Sequence, residues 1–257
     1  MSVVKTLTEN IEGRDFVIGD LHGSYHLLDH AISRINFNPE IDRIISVGDL
    51  INKGPQSMRC LEFLKKPWFY AVRGNHEDLF INSYSCKRGI DNIKSKFAIN
   101  NQQNLGWTSY ITDEYRRELY EEFMKLPIII EIPDNGMITA IIHGEVPIGM
   151  SWNEFKDNIN FGDEDTINSA LCSRDRFNQN INDKINGIDR IFCGHTPQRN
   201  GVKKLGNCFY IDTGAVYKSL SNNNISGNSL TVADVNISDS KLLLPNINNG
   251  VNYLLNY

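Results

Sequence analysis

The chain has 257 residues, 40% hydrophobic and 22% charged, a composition typical of globular proteins that excludes a disordered or collagen-like chain. Its 26 Lys and Arg against 31 Asp and Glu give a formal charge of -5 without a basic run, which argues against nucleic-acid binding through many phosphate contacts. The longest apolar stretches fall far short of the about 20 residues of a membrane-spanning helix, so no membrane residence is expected.

The first seventy residues alternate short apolar runs with amphipathic stretches, a pattern typical of β-α-β-α-β order. The runs and stretches are Phe16 to Gly19, Tyr25 to Ile35, Ile44 to Val47, Ser57 to Leu64 and Trp68 to Val72. Strands that alternate with helices in this way predict an α/β fold in which helices cover a sheet.

The rest of the chain is richer in strand signals. A polar segment from Asn82 to Thr108 has no strand pattern and is expected to form helices and loops, while Glu114 to Lys125 has the charge pattern of a surface helix. Residues 145–187 are polar and are predicted to be irregular. The predicted strands are residues 128–132, 138–142, 188–193, 202–205, 208–211 and 229–235.

Five short blocks place metal-binding side chains next to glycine at the end of an apolar run. They are GDLHG from Gly19, GDLINKGP from Gly48, RGNHE from Arg73, IHGE from Ile142 and CGHT from Cys193. In an α/β sheet the carboxyl ends of the strands open onto the crevice where ligands bind, and glycine allows a sharp turn there. We therefore expect the five blocks to converge on one edge of the fold.

The blocks supply carboxylate, amide and imidazole ligands without sulfur. The candidate metal ligands are Asp20, His22, Asp49, Asn75, His143 and His195. This donor set suits Mn, Fe or Zn, and Mg is less favoured because three of the ligands are imidazoles. We expect Mn²⁺, with the other three ions as alternatives. Six ligands are too many for one catalytic ion with an open position, but suit two divalent ions that share a carboxylate.

The order of these blocks resembles the signature of the metallo-dependent phosphoprotein phosphatases, a family of calcineurin-like metallophosphoesterases. The likeness extends from Phe16 to Tyr217 and is closest to the phage-type serine/threonine phosphatases, whose pattern is also similar to LGW at Trp107 and to FYIDTGAVY. The resemblance implies a two-layer mixed β-sandwich flanked by helices. It also implies a dinuclear site in which a metal-bridging water or hydroxide attacks phosphorus directly.

The same resemblance suggests a role for each site residue. Asp20 and His22 would hold the first metal, Asp49 would bridge, and Asn75, His143 and His195 would hold the second. His76 corresponds to the general acid of the family. It directly follows the ligand Asn75, so its ring can lie near the metals without binding them, which agrees with that role. Arg73 and Arg174 correspond to arginines that bind the substrate phosphate.

Asn52 and Lys53 stand where the family has Asp and Arg. Asn52 is expected to accept a hydrogen bond from His76 through its amide oxygen, but without the charge of a carboxylate. Lys53 keeps a positive charge for phosphate binding, although it lacks the planar two-pronged donor of arginine. GPQS after Lys53 resembles the symmetrical dinucleoside tetraphosphate hydrolases, which therefore remain an alternative.

The sequence thus predicts one domain over residues 1–257, with a motif core at about 16–217 followed by C-terminal strands and a tail at 218–257. The expected substrate is a phosphorylated protein or peptide, and the oligomeric state is open. The N-terminal residues lack the apolar stretch of a secretory signal, so a cytoplasmic location is expected. A metal-binding protein with weakened turnover is a third possibility, because Asn52 and Lys53 depart from the family pattern.

Overall fold

Two mixed β-sheets form the centre of the protein in a computed structural model that describes residues 3–85, 105–134, 136–199, 201–220 and 228–256. Within these ranges one sheet has the strand order β1-β5-β6-β7-β9-β8 and the other β11-β12-β10-β2-β3-β4. The strands are β1 (Val4–Thr6), β2 (Asp15–Ile18), β3 (Arg43–Ser46), β4 (Phe69–Ala71), β5 (Ile129–Asp134), β6 (Met137–Ile142), β7 (Arg190–Cys193), β8 (Lys203–Leu205), β9 (Cys208–Tyr210), β10 (Leu230–Asp234), β11 (Ile247–Asn248) and β12 (Val251–Leu254).

The two sheets pack face to face. Successive side chains of a strand point to opposite faces, so each central strand contributes both to the core between the sheets and to the core beneath the helices. In β2, Val17 belongs to the apolar cluster between the sheets, whereas Phe16 and Ile18 belong to a second cluster on the outer face. In β6, Ile141 points inward and Ile142 outward in the same manner. Strands buried on both faces explain why these segments are continuous apolar runs in the sequence.

Helices cover both outer faces of the sandwich, which confirms the predicted fold class. Their bounds are α1 (Tyr25–Arg34), α2 (Cys60–Leu64), α3 (Asn75–Ser85), α4 (Asp113–Lys125), α5 (Trp152–Phe161), α6 (Glu164–Cys172), α7 (Asp175–Asn178), α8 (Ala215–Leu220) and α9 (Asp239–Leu242), with 3₁₀ turns at Ser57–Arg59 and Gly106–Tyr110. Residues of α1 to α4 pack on the β2 side, and residues of α5 and α6 pack on the β6 side. Across the described ranges, every helix is too short or too polar to traverse a bilayer.

The prediction that residues 145–187 are irregular is wrong, since they contain α5, α6 and α7. Ser151 and Asp163 cap α5 and α6 by accepting hydrogen bonds from Glu154 N–H and Thr166 N–H, and these caps outweigh the polar composition of the segment. The predicted surface helix is confirmed as α4. Of the polar segment from Asn82 to Thr108, residues 86–104 lie outside the described part of the chain.

Asp42, just before β3, ties this strand to the turn that precedes β2. Its carboxylate accepts hydrogen bonds from Arg14 Nη2 at 2.5 Å, from Arg14 N–H at 2.9 Å and from Asn38 N–H at 2.9 Å. Burial acts to raise the pKa of Asp42, but the hydrogen bonds from Arg14 and Asn38 outweigh burial and leave this pKa lowered.

Replacing Asp42 with Asn is expected to lower the free energy of unfolding at neutral pH by about 1.5–3 kcal/mol, because bonds from a charged donor are lost. A lowered folded-state pKa contributes stability above the ordinary Asp pKa of about 3.9, and this contribution is lost as pH falls through the folded-state pKa. Urea unfolding across this range should therefore show the variant and the wild type converging in acid. Asp157→Asn, at an exposed position of α5, is the matched control. A difference between Asp42→Asn and wild type that is constant with pH would contradict the assignment.

Candidate metal centre

Five glycine-containing loops meet at one edge of the sandwich. Three follow the neighbouring parallel strands β2, β3 and β4, and two follow β6 and β7, which are parallel neighbours in the other sheet. Backbone hydrogen bonds join the loops, from His22 N–H to Asp49 O at 2.7 Å and from Gly194 N–H to His143 O at 2.9 Å. The structure thus brings the five sequence blocks together.

The loops after β3 and β4 approach so closely that only glycine fits at position 74. A Cβ atom there would lie 2.3 Å from Asp49 Oδ1 and 2.4 Å from the Asp49 backbone nitrogen. These distances are far shorter than a van der Waals contact between heavy atoms. Gly74 therefore allows the backbone that carries Asn75 to lie directly against the carboxylate of Asp49.

Three of the candidate ligands have left-handed backbone conformations, which are uncommon for residues other than glycine. The φ angles are 42° at His22, 52° at Asp49 and 64° at His195. Such angles persist where the surrounding contacts determine them, and they are concentrated at functional sites. The backbone strain is therefore a second indication, separate from the side-chain chemistry, that these three positions belong to a functional site.

Each of the three imidazoles is oriented by a backbone carbonyl group. The contacts are His22 Nδ1 to Ile51 O at 3.0 Å, His143 Nδ1 to Val47 O at 2.7 Å and His195 Nε2 to Cys172 O at 2.9 Å. A carbonyl oxygen accepts only, so in each neutral ring the proton lies on the nitrogen that faces the carbonyl. The other ring nitrogen then carries a lone pair, as a metal ligand requires.

These lone pairs converge on other acceptors around Asp49. Asp49 Oδ2 lies 3.3 Å from His22 Nε2, and Asp49 Oδ1 lies 3.3 Å from His143 Nε2. Asn75 Oδ1 lies 2.9 Å from His143 Nε2 and 3.0 Å from His195 Nδ1. Acceptors facing one another repel unless a cation lies among them. Lys53 Nζ contacts one of these nitrogens, His22 Nε2, and the arrangement of the other acceptors around Asp49 and Asn75 fits divalent ions.

Two groups of metal-competent side chains share Asp49, and within each group the ligand atoms lie within 4.8 Å of one another. One group is His22, Asp49 and His76, and the other is Asp49, His143 and His195. Asp49 is thus placed as a carboxylate common to two groups, as the predicted bridging role requires. The first group contains His76 in place of the predicted ligand Asp20.

Burial keeps the three imidazoles neutral. It lowers the pKa of His22 to about 3, lowers that of His195 to about 3 with help from His143, and lowers the pKa of His143. Neutral imidazole is the form that binds metal.

Asp20 lies beside the second group, where both of its carboxylate oxygens accept from His195 N–H at 3.1 and 3.2 Å. Burial raises the pKa of Asp20 well above its ordinary value, and the neighbouring carboxylates of Asp212 and Asp49 raise it further. Burial also raises the pKa of Asp212 to about 6. The sequence analysis did not identify Asp212, although it lies in the FYIDTGAVY segment. Three buried carboxylates in one region indicate an excess of negative charge that bound cations would offset.

His76 contacts Asn52, but with the opposite polarity to the one expected. Asn52 Nδ2 lies 2.8 Å from His76 Nδ1, and Asn52 Oδ1 accepts a hydrogen bond from Trp107 Nε1 at 2.6 Å. The expectation that the Asn52 oxygen accepts from His76 is therefore wrong, because that oxygen faces the Trp107 indole and the NH₂ group of the amide faces His76.

The two predicted phosphate-binding arginines differ in their surroundings. Arg174 Nη2 donates to the backbone oxygen of His195 at 2.8 Å, next to the second group. Arg73 Nη1 contacts Asp78 Oδ1 at 3.4 Å, and its buried Nε has no hydrogen-bond partner among the described residues. Arg73 therefore retains a donor for a further acceptor.

Lys53 contacts a candidate ligand directly. Its Nζ lies 2.7 Å from His22 Nε2, the nitrogen whose lone pair would face a cation. Lys53 also has a left-handed φ of 65°. The structure thus places this ammonium group at the first group of ligands, and its part in phosphate binding stays a prediction.

Two buried glutamates support the ligand loops, and the sequence analysis assigned no role to either of them. Glu77 accepts hydrogen bonds from the N–H groups of Asp49, Leu50 and Gly74, each at 2.9 Å. Its burial, followed by the charge of Asp49, raises its pKa to about 8. The signal was present, because Glu77 ends the RGNHE block.

Glu145 has the corresponding role beside the second group, next to the loop that carries Arg174. Its carboxylate accepts from Arg176 N–H at 2.7 Å, from Phe177 N–H at 2.9 Å and from the Tyr210 hydroxyl at 2.7 Å. It therefore anchors the start of α7, directly after Arg174. Glu145 ends the IHGE block, as Glu77 ends RGNHE.

Comparison with known proteins relates this site to phosphoesterases. A family model described as calcineurin-like phosphoesterase matches residues 16–199. Serine/threonine-protein phosphatase 2 of Escherichia coli strain K12 is 33% identical over 206 residues, which cover 78% of this chain and 87% of that protein. A symmetrical bis(5'-nucleosyl)-tetraphosphatase of Actinobacillus pleuropneumoniae is 29% identical over 140 residues, which cover 54% of this chain and 46% of that protein.

The similarity extends to solved structures. A crystal structure proposed to be that of a diadenosine tetraphosphatase superposes with a TM-score of 0.57 and 20% identity, and the match covers 92% of this chain and 95% of the other. At this identity the likeness describes the arrangement of the two sheets and their helices.

Proposed function

This chain belongs to the calcineurin-like phosphoesterase family, and from that membership we propose that it is a metal-dependent protein serine/threonine phosphatase. As a family member with phosphatase relatives, it is a metallophosphoesterase and therefore a hydrolase. The proposal concerns the substrate, the ligand set and the metal, for which we take Mn²⁺.

The observation that carries the proposal is the position of Asp49 between two groups of imidazoles. In the proposed enzyme Asp20, His22 and Asp49 would hold one cation, while Asp49, Asn75, His143 and His195 would hold the other. When bound, two divalent cations lower the pKa of coordinated water and polarise the phosphoryl oxygens. The carbonyl contacts of the three imidazoles fix the nitrogens that face these cations, and Glu77 fixes the Asp49 backbone.

The remaining side chains act on the substrate. Arg174 is held beside His195 and offers guanidinium donors to a phosphate oxygen, a pairing that planar arginine suits. Arg73 supplies a further buried donor. His76 lies with Nε2 3.8 Å from Asp49 Oδ2, where it can donate to an oxygen of the bound phosphate ester.

A phosphorylated protein is favoured as substrate by the extent of the likeness. The phosphatase relative matches 206 residues and the tetraphosphatase relative 140. The alternative, hydrolysis of symmetrical dinucleoside tetraphosphates, is supported by GPQS after Lys53 and by the tetraphosphatase relative. The two activities share the metal centre and differ in what lies beyond the attacked phosphate.

The test measures hydrolysis of an aryl phosphate by chelator-treated protein, with and without added Mn²⁺, and then compares a phosphoserine peptide with diadenosine tetraphosphate. We expect turnover only with metal, and a higher kcat/KM for the phosphopeptide. Faster cleavage of the dinucleotide would support the alternative. Mn²⁺ binding without turnover of any substrate would identify a metal-binding protein and refute the enzymatic proposal.

A further inference from the structure

Trp107, Asn52 and His76 form a chain of two hydrogen bonds that ends at the metal centre. Trp107 Nε1 lies 2.6 Å from Asn52 Oδ1, and Asn52 Nδ2 lies 2.8 Å from His76 Nδ1. The first distance is short for a hydrogen bond from a nitrogen donor, and the second lies within the usual range. Trp107 and Asn52 are 55 positions apart in the sequence, so the contact depends on the fold.

The chemistry of the indole fixes the direction of both bonds. An indole N–H can only donate, so the Asn52 atom that it contacts must be the amide oxygen. The other end of the amide is then the NH₂ group, which can only donate to His76 Nδ1. A nitrogen that accepts has no proton, so in the neutral ring of His76 the proton lies on Nε2.

The surroundings keep the amide from turning over. Asn52 is fully buried, and its backbone N–H donates to Ser57 Oγ at 2.9 Å. A reversed amide would place its NH₂ group against the indole N–H, which would leave two buried donors facing each other without an acceptor. The indole therefore selects one of the two amide orientations.

Trp107 lies in a turn that is stabilised by hydrogen bonds. It lies in the 3₁₀ turn Gly106–Tyr110, where Thr108 N–H and Thr108 Oγ1 both bond to Leu105 O. Buried Arg116 of α4 donates to Ile111 O at 2.7 Å and to Thr108 O. These bonds hold the backbone of the turn, and the Trp107 side chain packs against the outer apolar cluster of the β2 sheet, so the indole can impose its orientation on Asn52.

We propose that Trp107 is a positioning residue that, through the Asn52 amide, keeps the proton of the neutral His76 ring on Nε2. Nε2 is the nitrogen on the side of Asp49, at 3.8 Å from Asp49 Oδ2. A protonated Nε2 donates to an oxygen of a bound phosphate ester and is not available as a metal ligand. This consequence rests on the proposed function, whereas the proton position itself does not.

The first test determines the proton position on His76 directly and does not require an activity assay. ¹⁵N NMR of histidine-labelled, metal-free protein, at a pH where the rings are neutral, distinguishes a protonated Nε2 from a protonated Nδ1. For His76 we expect the Nε2–H form in the wild type and a loss of that single form in Trp107→Phe, which removes the donor but keeps an aromatic ring. Trp68→Phe, at a tryptophan that packs in the outer core of the same sheet, should leave the His76 signals unchanged.

The same NMR measurement on Asn52→Asp tests the proposal without relying on a Trp107 variant that folds. A carboxylate can accept both from the indole and from His76, so the proton of His76 is expected to move to Nδ1. An Nδ1–H form in the wild type, or His76 signals that are the same in all variants, would overturn the proposal.

The second test is a double-mutant cycle on kcat/KM. Trp107→Phe is expected to reduce kcat/KM by about tenfold, the lower range for loss of a group that orients a metal-site residue. In the Asn52→Asp background the same substitution should cost less, because a carboxylate has no orientation to select. An equal loss in both backgrounds would assign Trp107 a purely structural role. A protein that hydrolyses nothing would refute the proposed function and leave the NMR result intact.

Discussion

Replacing Asp49 with Asn is expected to lower kcat/KM for an aryl phosphate by more than about 100-fold, the upper range for residues that only support a ligand. Asp49 Oδ1 accepts from His76 N–H at 3.0 Å, so the amide oxygen of the variant should keep that position. The new NH₂ group would then replace Oδ2 and face His22 Nε2, which lies 3.3 Å away. A second donor at this point, beside Lys53 Nζ at 2.7 Å from the same nitrogen, competes with a cation for the His22 lone pair, and the substitution removes the charge shared by the two groups.

The measurement pairs steady-state kinetics with calorimetric titration of chelator-treated protein with Mn²⁺. We expect the cation of the His22 group to be lost first, because the NH₂ group faces that side. Asp157→Asn is the matched control, since Asp157 is exposed on α5 and is not part of the site. Two Mn²⁺ bound with wild-type affinity and near wild-type turnover in Asp49→Asn would refute the bridging role.

Replacing Glu77 with Met is expected to lower the free energy of unfolding by about 3 kcal/mol or more, because three buried N–H groups lose their acceptor. These groups belong to Asp49, Leu50 and Gly74, on the two loops that approach most closely. Methionine keeps the approximate length of the side chain, so the loss reports the missing acceptor more than a cavity. Activity should fall as well, because the Asp49 backbone is no longer held.

Urea unfolding of metal-free protein measures the effect without a contribution from metal binding. Glu121→Met, at an exposed position of α4, is the matched control and should change stability by no more than about 0.5 kcal/mol. Wild-type stability in Glu77→Met would mean that the three N–H groups find other acceptors and that Glu77 is not a support of the site.

The sequence is sufficient to predict the ligand loops because their signal is local. Each block joins an apolar run, a glycine and a ligand, and the carboxyl ends of parallel strands then meet by geometry. The helices within residues 145–187 were also visible in principle, since Trp152, Phe155 and Ile159 have helical spacing after the cap Ser151. The polar composition of that segment concealed them.

The contacts that set the chemistry of the site could not be predicted, because they join distant positions. His143 is oriented by the carbonyl group of Val47, and Asn52 by the indole of Trp107. The polarity of the Asn52 amide changes the proton position on His76, yet nothing near Asn52 in the sequence indicates it. Short strands such as β1 and β11 were missed for a similar reason, since two or three residues hold no periodic pattern.

The left-handed backbone at His22, Asp49 and His195 implies a conflict between folding and the metal binding proposed for these residues. Glycine would adopt these angles without steric cost, whereas each side chain in this conformation costs on the order of 1 kcal/mol. Selection for thermal robustness alone would therefore favour glycine at all three positions. The chain instead carries two imidazoles and a carboxylate at these positions. The neighbouring contacts of the sandwich must therefore stabilise the fold enough to offset the strain of the three turns.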